Sequence, residues 1–233
     1  MLFTGFDLGQ AADFTALATA EQSPAAEPTP RRRWQYAVRF LKRWELGTSY
    51  VNMAKDAAAL FGRAPLTWSW LAADYTGVGR AVVDQLRAEK VPAHLRPILI
   101  TAGDKVTEDE WGALHVPKRE LVSTTVALFQ SGLVKIAPGI PEADRLRKEL
   151  ALFTAKVSRR SANEQFGTWA DGQHDDLVLA LMLALWLGER YGAAKVEDIR
   201  VQPAAQSVVG KAPTGVFADR DAAPSSLSPW GMP

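Results

Sequence analysis

The chain of 233 residues contains no cysteine. That absence removes a disulfide scaffold, a thiolate zinc site and a cysteine nucleophile together. Histidine is nearly absent too: His94, His115 and His174 are far apart, so no His-built metal site is expected. No long hydrophobic run occurs. The longest, Leu177 to Leu187, falls well short of a bilayer span. Charge of one sign is also lacking. A net charge of +1 gives no global nucleic-acid signal, so any such contact must rest on local patches. The first residues carry no basic leader or cleavage site, so no export signal is expected. No internal repeat stands out.

What is present is an ordinary soluble composition, 47% hydrophobic and 23% charged, enough for one core. The expected organisation is a single domain over residues 1–200 and a tail over 201–233. In the tail Pro203, Pro213, Pro224, Pro229 and Pro233 punctuate Ala, Ser and Gly, which suits a poorly ordered or docking segment. Leu2–Leu8 reads as a buried strand, Phe14–Ala20 as a second and Trp34–Trp44 as a third. The proline-containing stretch Gln22–Pro30 reads as a loop between them. The period then changes. Helices are predicted at Tyr50–Phe61 (with Val51, Ala54, Ala58 and Phe61 inward), Arg80–Lys90, Pro117–Ser131, Glu142–Phe153 and Asp175–Tyr191. Strands are predicted at Leu66–Ala73, Val91–Thr101, where Pro97 suggests a sheet edge or an irregularity, and Val134–Ala137. Ala155–Ala170 reads as a hairpin with its turn near Ser161–Glu164. An antiparallel meander followed by alternating strands and helices predicts an α/β fold with a mixed sheet flanked by helices.

Three acidic positions fall at comparable points. Asp7 ends the first strand, Asp74 ends the strand after the first helix, and Asp175 and Asp176 open the last helix. Strand ends at a sheet's crevice are where such folds build sites. Carboxylates gathered there repel one another, and a divalent cation removes that cost. Oxygen ligands without His or Cys suit Mg²⁺ or Mn²⁺, and two such ions can clamp a phosphodiester displacement. Each acid also has a plainer reading as turn residue or helix cap. Adjacent helical residues diverge by about 100°, so one of Asp175 and Asp176 faces the site while the other caps or supports, and the sequence does not say which.

The motifs Gly5-Phe6-Asp7-Leu8-Gly9 with Asp13-Phe14-Thr15-Ala16, Ala73-Asp74-Tyr75-Thr76-Gly77-Val78-Gly79, Val116-Pro117-Lys118-Arg119-Glu120-Leu121 and His174-Asp175-Asp176-Leu177 resemble, in order and spacing, the nuclease domain of phage terminase large subunits. The resemblance covers Leu2 to Tyr191 and implies a ribonuclease H-like fold. It implies an endonuclease that cuts concatemeric viral DNA during packaging, with two Mg²⁺ or Mn²⁺ ions held by Asp7, Asp74 and Asp175, Asp176 or both. It makes Asp13 a supporting residue or a turn residue, and His174 a helix-entry or supporting residue rather than a ligand. Double-stranded DNA is the implied substrate, with an ATPase subunit, a small terminase subunit and a portal as partners in the host cytoplasm, and no membrane. No G-x-x-x-x-G-K-[ST] phosphate loop is present, so this chain alone is not expected to translocate DNA.

Cleavage needs phosphate contacts. Arg159-Arg160, near the predicted hairpin tip, and Lys118-Arg119 are the favoured candidates. Arg145, Arg147 and Lys148 read as a plain helix face. Five tryptophans, Trp34, Trp44, Trp68, Trp70 and Trp186, are expected in the core, and Trp111, Trp169 and Trp230 stay open. The competing readings are an actin-like ATPase, a Holliday-junction resolvase or transposase of the same fold, and a non-catalytic domain that binds a packaging partner.

Overall fold

Alternating apolar residues in the first forty positions build the meander that everything else is laid upon. In the computed structural model, which describes residues 1–9, 13–29, 32–160 and 175–192, β1 (Leu2–Asp7) pairs antiparallel with β2 (Ala16–Thr29), and β2 with β3 (Arg32–Arg43). On its other side β1 pairs parallel with β4 (Trp70–Asp74), which continues through β5 (His94–Thr101) to β7 (Leu114–Pro117). The short β6 (Thr107–Glu108) closes one edge antiparallel to β7, and β8 (Val134–Ile136) joins the other edge parallel to β3. The resulting order is β6-β7-β5-β4-β1-β2-β3-β8. Five helices flank this sheet: α1 (Tyr50–Phe61), α2 (Gly79–Ala88), α3 (Lys118–Gln130), α4 (Ala143–Arg160) and α5 (Asp176–Tyr191). It is the expected α/β fold, a mixed sheet in which a meander is extended by parallel strands and flanked by helices. Among the described residues no helix is long and apolar enough to cross a membrane.

The two faces of the sheet bury separate cores. Phe6, Leu17, Leu71 and Ala73 point toward α1 and α2 and pack with Met53, Phe61, Val82 and Leu86. Phe3, Ala16, Ala18, Trp70 and Ala72 point the other way, toward α3, α4 and α5. Helix α5 is apolar all round because it is covered all round: every residue from Ala180 to Gly188 is buried. It lies directly over β1. A Cβ at Gly5 would overlap the Ala180 carbonyl oxygen and stand 2.9 Å from the Ala184 amide nitrogen, so the approach of helix to strand requires glycine there.

Several expectations are corrected. Gln22–Pro30 is not a loop, since β2 runs on to Thr29. Pairing with β1 ends at Glu21, so Pro24 and Pro28 lie where one edge of β2 has no β1 partner, and the ladder to β3 slips between Pro24 and Thr29. The hairpin predicted to start at Ala155 is instead the end of α4, which continues to Arg160. The spacing Leu146, Leu150, Phe153, Val157 prolongs the helical stripe. The rest of that hairpin, 161–170, lies outside the described residues, as do His174, Trp169 and the tail 201–233. β4 starts only at Trp70, because Trp68 adopts a positive φ of 60°, and Trp68 is 65% exposed rather than in the core. β5 is an interior strand, and its Pro97 lies one residue before pairing with β7 begins. In α1 it is Met53 and Ala57, not Val51 and Ala58, that join Ala54 and Phe61 inside. β6 and β7 have no counterpart in the sequence reading.

Gly5→Ala is expected to cost about 3 kcal/mol of stability or to prevent folding, since both contacts are backbone and cannot rotate away. Urea unfolding measures it, and a midpoint within error of the parent would refute the close packing of α5 on β1.

Candidate metal centre

The register of the central strands brings the first two acids together. Phe6 pairs with Ala73, so Asp7 and Asp74 follow side by side on neighbouring strands, about 4.8 Å apart in backbone. Asp7 lies four residues beyond Phe3, and Asp74 four beyond Trp70, so both share the face covered by α5. The N-terminus of α5 delivers Asp175 and Asp176 to the same end. Asp7, Asp74 and Asp176 are 7%, 8% and 6% exposed, and Asp175 is half-buried.

Burial pushes the Asp7 carboxyl well above the ordinary carboxylate range, and the charges of Asp74, Asp176 and Asp175 push it further. The backbone amide of Leu8 opposes them. Asp74 is raised as well, again by burial, against hydrogen bonding from Thr76. The Thr76 amide donates to Asp74 Oδ1 at 2.8 Å, and Thr76 Oγ1 in turn accepts from Ile100 N at 3.2 Å, which ties the turn after β4 to β5. Gly79 closes this turn: a Cβ there would collide with the Asp74 carbonyl. Asp175 occupies the N-cap position of α5 but makes no capping bond with its side chain. The capping acceptor comes from another helix. Glu149 of α4 accepts from Leu177 N at 3.0 Å and Val178 N at 3.3 Å through Oε2. Burial raises the Glu149 carboxyl to about 7, these amides and Arg43 opposing and Asp176 adding. Sequence reasoning missed Glu149, taking its neighbours for a plain charged face. The signal available was its place on the same stripe as Leu146 and Phe153.

No family model and no curated protein matches the chain. Solved structures do. The chain is similar to the HK97 bacteriophage large terminase, at 14% identity and a TM-score of 0.47, over 80% of this chain and 39% of that one. It is also similar to Thermus thermophilus RuvC, solved alone (12% identity, TM-score 0.35, 83% and 98% of the two chains) and in complex with a Holliday junction substrate (13%, 0.34, 82% and 97%). The chain spans 39% of the length of the terminase it matches.

The other sequence candidates are distributed unevenly. Asp13 is exposed at the entry to β2, its backbone against Gly9. Lys118 and Arg119 open α3 just after β7, at the same end of the parallel strands as Asp74. Arg119 is engaged there by Asp104, at 2.7 Å to the carboxylate and 2.8 Å to the carbonyl. Arg159 and Arg160 end α4, and their side chains lie outside the described residues. Among the described residues, no three carboxylates or imidazoles are gathered tightly enough to hold an ion as they stand. The donor chemistry nonetheless fits a hard divalent cation. It is all oxygen and sits at one rim, and the protonation that burial favours in Asp7 is the alternative to neutralisation by a cation.

These shifts set a sign for stability. A carboxyl raised in the folded state binds its proton more tightly there, so its contribution is complete at pH below about 4 and is lost as pH rises. For Glu149 the loss spans its ordinary value of 4.5 to about 7. Melting temperature in EDTA is therefore expected to fall between pH 5 and 8, and Asp7→Asn to flatten that fall and raise stability at pH 8. A variant no more stable than the parent at pH 8 would count against a repelling cluster around Asp7.

Proposed function

We propose that this chain is a divalent-metal-dependent DNA endonuclease, of the kind that the resemblance to terminase large subunits implies. The observation that supports this reading most directly is the group formed by buried Asp7, Asp74 and Asp176 with half-buried Asp175 at the end of the two central parallel strands, where burial first and charge repulsion second raise the Asp7 carboxyl. Asp7, Asp74 and Asp175, Asp176 or both would hold two divalent ions. Mg²⁺ or Mn²⁺ held there would supply Lewis acidity for the attacking water and for the leaving 3′-oxygen.

The chain's own groups set the frame for that chemistry. The Thr76 amide fixes one oxygen of Asp74. Leu8 and the walls of the apolar core exclude water behind Asp7 and strengthen every electrostatic interaction in front of it. Lys118 and Arg119 stand on the same rim and would meet backbone phosphates. Arg119 would exchange an exposed ion pair with Asp104, which is worth little, for a phosphate contact. Arg159 and Arg160 are proposed for the same role. The substrate is double-stranded DNA, in the host cytoplasm, with an ATPase subunit, small terminase subunit and portal as partners. Asp13, exposed, and His174 are proposed as supporting residues.

Purified protein is expected to nick and linearise supercoiled plasmid with Mg²⁺ or Mn²⁺ and not with EDTA. Asp74→Ala should lower the rate at least about 100-fold, since metal stabilisation of the transition state is worth several kcal/mol. A four-way junction beside the plasmid separates a resolvase from a packaging nuclease. Folded protein that cleaves neither substrate with either metal would defeat the enzymatic reading and leave a partner-binding domain.

A further inference from the structure

Helix α5 carries two of the four proposed ligands at its first turn, yet its N-cap side chain makes no capping bond there. The first amides of a helix have no acceptor within the helix, and those of Leu177 and Val178 are among them. Both amides are taken by one oxygen of Glu149, whose own backbone belongs to α4, 28 residues earlier. Glu149 is buried, and its other oxygen, Oε1, is enclosed without a hydrogen-bond partner. Arg43 approaches the same place from the sheet. It stands opposite Ala16, which itself stands opposite Asp7, so the three form one row across β1, β2 and β3. The Arg43 guanidinium lies over the Phe14 ring at 3.6 Å, and its Nη1 is likewise buried without a hydrogen-bond partner.

We propose that Glu149 is a positioning residue for the metal centre: by accepting the Leu177 and Val178 amides it docks the first turn of α5 on α4 and fixes where Asp175 and Asp176 stand relative to Asp7. The proposal rests on the metal-dependent reading above. The reason lies in the geometry of a helix start. A helix with a local cap is anchored to its own preceding residue, so its first turn moves with the chain that leads into it. Here the anchor is a separate helix packed on the same face of the sheet, so the acids are referenced to the core rather than to residues 161–174. An aliphatic side chain of similar size would preserve the packing of α4 and lose the anchor. Glutamine would keep an oxygen at the same reach.

The test compares the full chain with Glu149→Met and Glu149→Gln, titrating Mn²⁺ by calorimetry and following amide exchange in the metal-free protein. The expected result is that Glu149→Met raises the Mn²⁺ dissociation constant at least about tenfold, in the range seen when groups that orient metal ligands are removed. Leu177 and Val178 should lose exchange protection while β1 and β4 keep theirs. Glu149→Gln should restore both properties to within about threefold. A folded Glu149→Met protein with parental Mn²⁺ affinity overturns the proposal. If that variant does not fold, Glu149→Gln decides alone: retained affinity supports docking through an oxygen acceptor, and a tenfold loss shows that the charge, not the docking, matters and overturns it. A parent chain that binds no Mn²⁺ brings down the metal reading itself, which the parental titration distinguishes from failure of the Glu149 assignment.

Discussion

An apolar helix laid directly on the central strand is the constraint from which the rest of this structure follows. Helix α5 has no polar face between Ala180 and Gly188, so it must be covered on every side, by β1 and β2 below and by α3 and α4 around it. Gly5 lets the helix come close enough for backbone to touch backbone. Once its body is fixed in this way, its first turn is carried to the carboxyl end of β1 and β4. Asp175 and Asp176 stand at that end with Asp7 and Asp74.

That placement creates an electrostatic debt. Acids on two adjacent strand ends and one helix start share a rim that apolar side chains wall off from water, and the Asp7 carboxyl is raised by its burial first and by its neighbours second. A structure serving stability alone would pair such acids with arginine or lysine. Here Arg119, at that end, pairs with Asp104 instead. An end of the sheet left negative, oxygen-rich and partly dry is what a divalent cation needs, and it is the physical basis of the nuclease reading.

The legible and illegible parts of the site divide along one line. Asp7 and Asp74 could be read because each closes an apolar strand run and is followed by glycine, a local pattern. Asp175 and Asp176 could be read because the helix they open is the most apolar in the chain. Glu149 could not. Its role depends on two amides 28 and 29 residues ahead, and its neighbours Arg145, Arg147 and Lys148 give the segment the look of a solvated face. Asp13 is a different case. It falls within the motif that the sequence resembles, and it stands exposed three residues before β2 begins.

The sequence by itself determined the class of the fold, the places where most elements begin and the identity of the strand-end acids. These are properties of periodicity and of residue type at element ends, which act over a few residues. Tertiary structure alone decided the rest. It carried β2 through two prolines, because the edge they occupy has no β1 partner. It extended α4 to Arg160 and so moved Arg159 from a hairpin tip to a helix end, and it exposed Trp68. It also chose which residue caps α5, because a buried amide takes the nearest acceptor in space, and in this chain that acceptor lies on another helix.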